Sequence, residues 1–301
     1  MTKILITGSN GLLGQKLVYA LLKRKDVEII ATSSGANRML HTNGYVYETL
    51  DITQKSEIEN IISKHQPDVI INTAAMTNVD ACETKREECW AINVTAVQHF
   101  VDVLANHPAH FIHLSTDFIF DGMKGSEYVE TDVPNPLSYY AKSKSESEKI
   151  LENSKINWAI ARTIIVYGMV DNMSRSNIVL WAKEALSKGQ KINVVDDQFR
   201  SPTLAEDLAD GCILIADKKA KGIYHLSGPK TLSILELVYK VAAFWKLDRS
   251  LITPSKSDNL NQAAKRPPRT GFDISKARKE LGYNPHSFED GLKILDSQLK
   301  N

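Results

Sequence analysis

Short apolar runs alternate with longer amphipathic stretches from the first residue to about residue 170. The apolar runs, rich in Ile, Val and Leu, have the composition of strands buried on both faces. Four of them are predicted strands, at residues 4–7, 27–31, 69–72 and 109–114. Between them, residues 15–24 and 56–65 have apolar positions at helical spacing. Strands that alternate with helices predict an α/β fold, a doubly wound parallel sheet with helices on both faces.

After residue 168, predicted strands and helices no longer alternate regularly. Two further strands, at residues 159–166 and 222–226, are expected to extend the sheet. Helices are predicted at residues 177–188, 204–216 and 234–245, and a short strand at residues 192–195. Together with the proline-rich residues 266–269, these elements indicate a smaller second lobe built partly from insertions.

Composition and charge argue against several classes of partner and site. The 301 residues include 37 basic and 36 acidic side chains, a formal charge of +1, which argues against a nucleic-acid partner. No apolar run approaches the ~20 residues of a membrane span, and the first residues lack a signal-peptide pattern, so we expect a cytoplasmic protein without a membrane partner. Cys82, Cys89 and Cys212 have no metal-ligand spacing and are expected to be buried, reduced thiols.

The first strand is followed by a glycine-rich turn, Gly8-Ser9-Asn10-Gly11-Leu12-Leu13-Gly14, that opens the first helix. Glycines let the backbone approach a pyrophosphate closely, and a helix N-terminus offers free N–H groups to an anion. A plain structural turn could use the same glycines. The order of strand, glycines, helix and second strand favours a dinucleotide site.

The end of the second strand bears on the choice of cofactor. An NAD enzyme usually has a carboxylate there, whereas this chain has Ser33 and, a few residues later, Arg38. A hydroxyl and a guanidinium suit a 2′-phosphate, so we expect NADPH, with NADH as the alternative. Arg38 could also be a solvated loop residue. Asp51-Ile52 and Ala74-Ala75 follow the third and fourth strands, where they could contact the adenine and let the cofactor lie against the sheet.

Tyr140 and Lys144 are four residues apart and lie on one face of a predicted helix. An ammonium beside a phenol favours the phenolate, so Lys144 is expected to lower the pKa of Tyr140. Thr116 ends the fifth strand, where its hydroxyl could hold a carbonyl oxygen. Asn93 lies in a helical stretch and would otherwise be an N-cap or a surface amide.

These residues resemble the extended short-chain dehydrogenase/reductases and, within them, the dTDP-4-dehydrorhamnose reductases. The resemblance covers nearly the whole chain. Besides the glycine turn and the Tyr140–Lys144 pair, it is carried by residues 115–122, 135–137, 162–168, 197–203, 222–228 and 266–267. It implies a Rossmann domain that binds NADP, residues 1–168 with 201–227 returning to it. It also implies a substrate lobe, residues 169–200 and 228–301.

The resemblance further implies a catalytic set of Thr116, Tyr140 and Lys144, with Asn93 positioning a relay water. Tyr140 would protonate the 4-keto oxygen of a nucleotide-linked 6-deoxy sugar while NADPH delivers hydride. Lys144 would also hold the nicotinamide ribose, and Tyr140 would lie beside the cofactor. Asp117 would contact the sugar. Other expected substrate-site residues are Phe118, Ile165, Arg200 and Arg266. No metal is expected, and a homodimer is one possible assembly.

Two departures from the reductase pattern put the exact sugar in doubt. Ile165 stands where those enzymes commonly have Trp, and residues 169–176 are unlike theirs. Phe118 replaces the Glu of related dehydratases, and the ribose carboxylate of epimerases is missing. A non-catalytic NADP-binding subunit, similar to the beta subunit of methionine adenosyltransferase, is the second interpretation, and an epimerase or reductase of another nucleotide sugar is the third. Arg200 could instead fix a loop, and Arg266 could form a surface salt bridge.

Overall fold

A computed structural model describes residues 1–259 and 262–300, and its centre is a seven-stranded parallel sheet. The strands of this sheet are β1 Thr2–Thr7, β2 Val27–Ser33, β3 Val46–Thr49, β4 Val69–Asn72, β5 His110–Thr116, β6 Asn157–Thr163 and β11 Gly222–His225. Their order is β3-β2-β1-β4-β5-β6-β11. The strand order reverses between β1 and β4, so the carboxyl ends of these two strands open a crevice. The predicted doubly wound α/β fold is confirmed.

Helices cover both faces of the sheet and build the rest of the chain. They are α1 Leu12–Leu21, α2 Lys55–His65, α3 Val79–Thr84, α4 Arg86–Trp90, α5 Ala96–Leu104, α6 Tyr139–Glu152, α7 Ile178–Ser187, α8 Ala205–Lys218, α9 Ile234–Phe244 and α10 Phe288–Leu299. One-turn helices of 3₁₀ or π type lie at Ala91–Thr95, Asp117–Ile119, Arg249–Leu251, Ser257–Asn259 and Ala277–Leu281. Within residues 1–259 and 262–300, no helix has the length and apolar character needed to cross a membrane.

Short strand pairs complete the structure. They are β7 Val166–Tyr167 with β10 Thr203–Leu204, β9 Phe199–Arg200 with β12 Leu232–Ser233, and β8 Ile192–Val195 with β13 Ile252–Ser255.

One predicted strand is wrong in its extent. Residues 159–166 do not form one strand, because β6 ends at Thr163 and Val166 pairs instead with Thr203 in β10. The break lies at Ile165, whose φ of +30° turns the chain out of the sheet. Positive φ is rare for a β-branched residue, so the apolar pattern carried no sign of this turn.

Apolar packing forms three main clusters. Two of them cover the two faces of the central sheet, and the third fills the space between α7, α9, α10 and the β8–β13 pair. Residues 272–283 lie in the predicted substrate lobe, yet Phe272, Ile274 and Tyr283 pack into a cluster of the central sheet. The predicted lobe boundaries therefore stay a prediction, with this segment in contact with the first domain.

Helix α6 packs a mostly polar face against the sheet. Its N-cap is Ser138, whose side chain accepts the Ala141 N–H. Buried positions of the helix include Tyr140, Ser143, Lys144, Ser147, Glu148 and Leu151. Burying a polar group without a hydrogen-bond partner destabilises the fold, so each of the polar side chains among them needs a partner inside the protein.

Glu148 finds its partner in Arg162 on β6. The Arg162 guanidinium donates to both carboxylate oxygens, with an Nη2–Oε2 distance of 2.7 Å, and both side chains are 2% exposed. Arg162 also donates to the Glu130 carbonyl at 3.2 Å. This ion pair fixes α6 to β6 at the depth of the sheet.

Replacing Arg162 with Met is expected to destabilise the fold by about 3–5 kcal/mol, because it leaves the Glu148 carboxylate buried without a counter-charge. Urea unfolding measures the loss. The double variant Arg162→Met/Glu148→Leu removes both charges and should recover most of the stability. A double variant as unstable as the single one would contradict this account.

Candidate active site

A deep cleft runs along the carboxyl edge of the sheet. Its volume is about 1120 Å³. The glycine turn lies at one end, and Thr116, Tyr140 and Lys144 line the cleft together with Gln198 from the second part of the chain. Ligands of open α/β sheets bind in the crevice outside the strand ends, where the strand order reverses.

The glycine turn is shaped for close approach. Gly8 has φ +65°, and a Cβ there would lie 2.8 Å from the Ala74 backbone nitrogen. A Cβ on Gly14 would lie 2.4 Å from the Gly8 carbonyl oxygen, so α1 can start this close to β1 only with glycine at this position. The N-cap of α1 is Gly11, and no side chain caps the helix. Its first N–H groups therefore stay available to an anion.

The remaining turn residues divide between the cleft and the support beneath it. Asn10, Leu12 and Leu13 line the cleft, whereas Ser9 is fully buried. The Asn10 amide donates to the Ala36 carbonyl at 2.9 Å and its oxygen accepts the Arg38 N–H at 2.9 Å. Asn10 thus holds the loop that follows β2.

All residues predicted to surround the adenosine line this end of the cleft, namely Ser33, Arg38, Asp51, Ile52, Ala74 and Ala75. The Arg38 side chain is exposed, while its carbonyl accepts the Asn172 side-chain amide at 2.8 Å. One Asp51 oxygen accepts the N–H and the hydroxyl of Thr53. Arg38 is therefore anchored through its backbone, and its guanidinium remains available to a ligand.

Asp171 is a residue that the sequence analysis missed. Its carboxylate accepts the Tyr19 hydroxyl and the Leu40 N–H, and its backbone exchanges hydrogen bonds with the Gln15 side chain. It thereby ties residues 169–172 to α1 and to the loop after β2. Its contacts join segments far apart in the chain, so no local motif signals them.

Thr116 stands at the end of β5 as predicted. Its hydroxyl donates to Asp117 Oδ1 at 3.1 Å and accepts the Phe118 N–H at 3.2 Å. The Tyr140 ring meets Phe118 edge-on, with ring centroids 6.2 Å apart. The structure therefore brings the Thr116 hydroxyl and the Tyr140 phenol to the same part of the cleft.

The expected effect of Lys144 on Tyr140 is wrong. Burial raises the pKa of Tyr140 above its ordinary value; contact with Thr116 opposes this shift and the nearby Asp117 carboxylate adds to it. Lys144 instead has its amine 3.0 Å from the imidazole Nε2 of His113. Burial lowers the pKa of Lys144 to about 8, opposed by the charge of Glu148. The phenol is thus a proton donor at neutral pH, and the lysine loses its proton readily.

His113 on β5 is another residue that the sequence analysis missed. It is buried, and it contacts the lysine of the site and, through Nδ1, the Asn72 amide at 3.1 Å. Side chains alternate along a strand, so His113 shares a face with Ser115, which lines the cleft. This alternation along β5 is the feature of the sequence that could have indicated His113 as a site residue.

Asn93 is neither an N-cap nor a surface amide. It lies in the one-turn π-helix Ala91–Thr95 and is 1% exposed. Its side chain accepts the Met76 N–H at 2.8 Å, and donates to the Met76 carbonyl at 3.1 Å and to Ser143 at 3.0 Å. Asn93 thus connects the loop after β4 with α6, and its predicted relay water stays a prediction.

Two of the residues predicted to contact the substrate, Arg200 and Asp117, lie beside each other. Arg200 donates to the carbonyls of Phe199, Pro267 and Pro268, so it fixes the 266–268 segment, and its Nε lies 3.5 Å from Asp117. Asp117 also accepts the Thr270 hydroxyl.

The three other positions expected at the substrate side differ in their surroundings. Arg266 forms a salt bridge with Asp80 at 2.7 Å and also lines the cleft, so its contact with the substrate stays a prediction. Ile165 and Phe118 line the cleft, and the Arg200 guanidinium lies over the Phe118 ring, 5.4 Å from its centroid.

Two buried hydroxyls test whether a dinucleotide fits this cleft. Ser115 Oγ and Thr163 Oγ1 have no hydrogen-bond partner within the described part of the chain, and both residues line the cleft at the ends of β5 and β6. Orphaned buried polar atoms are rare, and a polar ligand would satisfy them. The donor set therefore fits a polar ligand that extends from the glycine turn to Tyr140.

A glycine turn between β1 and α1, with Thr, Tyr and Lys at the far end of the same cleft, defines an extended short-chain dehydrogenase/reductase fold. Within that class, the chain belongs to the RmlD substrate binding domain family, which it matches over residues 1–300. This membership confirms the resemblance inferred from the sequence and the expected class, an NAD(P)-dependent oxidoreductase.

Individual relatives cover nearly the whole chain. A dTDP-4-dehydrorhamnose reductase of Aggregatibacter actinomycetemcomitans is 31% identical over 98% of both chains. The methionine adenosyltransferase 2 subunit beta of Bos taurus is 29% identical over 97% of this chain and 86% of its own. A crystal structure of dTDP-4-dehydrorhamnose reductase from Bacillus anthracis in complex with NADP superposes with a TM-score of 0.84, at 26% identity, over 99% of this chain and 100% of that one. The NADP in that relative agrees with the expected cofactor.

Replacing Asn93 with Leu is expected to destabilise the protein by about 2 kcal/mol, because it leaves the Met76 N–H and carbonyl unsatisfied. Asn153→Leu at the exposed end of α6 is the matched control and should change stability little. Thermal and urea unfolding measure both variants. Equal losses at the two positions would show that the Asn93 hydrogen bonds contribute nothing specific.

Proposed function

We propose that this protein reduces a nucleotide-linked 4-keto-6-deoxy sugar with NADPH, and that its substrate is dTDP-4-dehydrorhamnose. The observation that carries the proposal is one continuous cleft, with the glycine turn at one end and Thr116, Tyr140 and Lys144 at the other. A dinucleotide held on the turn would extend toward the Thr116 hydroxyl and the Tyr140 phenol. The reductase relatives support the choice of substrate.

The cofactor would be held mainly by backbone groups and hydroxyls. The N–H groups at the start of α1 would bind the pyrophosphate, and Arg38 would meet the 2′-phosphate. The unpartnered hydroxyls of Ser115 and Thr163 would serve its polar groups nearer Tyr140. When bound, NADPH supplies the hydride. The protein needs no net positive charge for this, because the donors are local.

Tyr140 is the general acid of this scheme. Its raised pKa keeps the phenol protonated, so it can donate its proton to the oxygen of a 4-keto group. The Thr116 hydroxyl, now bonded to Asp117, would turn its hydrogen toward the same oxygen. Lys144, whose pKa is about 8, would then return a proton to the phenolate left on Tyr140.

Tyr140→Phe is expected to lower kcat by about 10²–10⁴-fold, because it removes the proton donor and keeps the ring. NADPH binding should be unchanged. Tyr139→Phe is the matched control, since Tyr139 is the preceding residue, is partly exposed and does not line the cleft. The measurement is the loss of NADPH absorbance with dTDP-4-dehydrorhamnose. Full activity of Tyr140→Phe, or none in the unmodified protein with this sugar, would refute the assignment.

Arg38→Ala is expected to weaken NADPH binding roughly tenfold or more, because a charge-assisted contact with the 2′-phosphate is lost. NADH binding should change little, since NADH has no 2′-phosphate. Titration of both nucleotides measures the two constants, and Arg278→Ala, an exposed arginine that does not line the cleft, controls for overall charge. Equal weakening of both nucleotides would argue against a phosphate contact.

A second function, NADP binding without turnover in a regulatory subunit, is favoured by the methionine adenosyltransferase relatives and by Ile165 in place of Trp. The two functions differ in what Tyr140 does. A regulatory subunit would bind NADPH, leave 4-keto sugars unreduced and co-elute with a methionine adenosyltransferase. Turnover that depends on Tyr140 excludes it as the sole role.

A further inference from the structure

The side chains behind Lys144 form a hydrogen-bonded chain that begins at a backbone donor. The Ala74 N–H donates to the Thr7 hydroxyl at 3.3 Å, and this hydroxyl donates to Asn72 Oδ1 at 2.6 Å. The Asn72 amide nitrogen then lies 3.1 Å from His113 Nδ1. An amide nitrogen can only donate, so Nδ1 is the acceptor and carries no hydrogen.

At its other end, this series of hydrogen bonds reaches a backbone acceptor. The Ser147 hydroxyl donates to the Lys144 carbonyl at 2.7 Å, which leaves the Ser147 oxygen to accept from His113 Nε2 at 3.0 Å. Every bond therefore runs in one direction, from a fixed N–H to a fixed C=O. This direction requires the neutral imidazole to carry its hydrogen on Nε2.

Nε2 also lies 3.0 Å from the lysine Nζ, so its single hydrogen is shared between the Ser147 oxygen and the lysine nitrogen. We propose that His113 is a positioning residue for Lys144, which presents its Nε2–H to the lysine nitrogen and stabilises the neutral amine over the ammonium. The proposal rests on the reductase function proposed above, in which Lys144 acts on Tyr140. The ring touches neither the cleft nor a reacting atom, so it acts only through the lysine.

The other charged groups around Lys144 act in the opposite direction. Glu148 on the same helix and Cys89 on α4 favour the ammonium. Arg162 on β6 neutralises much of the Glu148 charge through its ion pair. Burial and the His113 N–H therefore remain as the two influences that favour the neutral amine of Lys144. His113 itself stays neutral, because burial and the nearby Lys144 charge both lower its pKa.

The consequence concerns the proton supply. After Tyr140 gives its proton to the substrate, the phenolate must regain one. A lysine whose neutral form is stabilised gives up a proton more easily, and it takes one back from the solvent side of the cleft, so protons balance over a turnover. The hydrogen-bonded series from His113 to Thr7 ends at a backbone group and does not reach solvent. It therefore fixes the tautomer of His113 and does not carry a proton outward.

The first test reads the tautomer directly. Protein labelled with nitrogen-15 at histidine is examined by long-range proton–nitrogen correlation, and the signals of His113 are assigned by their loss in His113→Phe. His110→Phe, a buried histidine of the same strand, is the matched control. A hydrogen on Nε2 at every pH is expected. A hydrogen on Nδ1 overturns the proposal.

The second test changes the tautomer without touching His113 or Lys144. Asn72→Asp would accept from Nδ1 and move the hydrogen there, while Asn72→Leu removes the Nδ1 partner, adds no charge and leaves the hydrogen on Nε2 with Ser147. Asn72→Asp should therefore raise the pKa of Lys144, so the fall of kcat/KM on the basic side moves to higher pH by about one unit, whereas Asn72→Leu should leave it in place. A basic limb that stays in place or moves to lower pH in Asn72→Asp overturns the proposal.

The two proposals fail separately. If the unmodified protein reduces no keto sugar, the reductase function fails, and the tautomer measurement still decides the role of His113. If turnover depends on Tyr140 while His113 carries its hydrogen on Nδ1, only the present inference fails.

Discussion

The structure depends on one unusual packing arrangement: helix α6 buries a polar face against the central sheet. Tyr140, Lys144 and Glu148 are all buried on it, and a helix normally buries an apolar stripe. Such a face is stable only if each polar group meets a partner, and the partners come from the sheet. Arg162 on β6 and His113 on β5 supply two of them.

This requirement links the fold to the chemistry. The same helix carries the phenol and the lysine, and the same strands carry Thr116 and the unpartnered hydroxyls at their carboxyl ends. Since buried hydrogen bonds join α6 to β5 and a buried ion pair joins it to the neighbouring β6, Tyr140 and Thr116 have little freedom to separate. Preorganised groups of this kind cost little reorganisation when a reaction begins.

Much of the fold was predictable because it rests on local patterns. The apolar runs, the glycine turn and the i, i+4 spacing of Tyr140 and Lys144 are all visible within short windows of the sequence. What could not be predicted involves residues that meet only after folding. The lysine amine turns toward His113, 31 positions away, and Asp171 joins α1 from 156 positions beyond Gln15. The charges that set a pKa come from such distant contacts, which explains why the expected effect on Tyr140 was wrong.

Ile165 illustrates a conflict between stability and function. A β-branched residue at φ +30° carries strain on the order of 1–3 kcal/mol, which glycine or asparagine would relieve. Yet the Ile165 side chain lines the cleft, and the turn it makes sends the chain from β6 toward the second part of the molecule. Selection for a more stable protein and selection for a particular ligand would therefore favour different residues at this position.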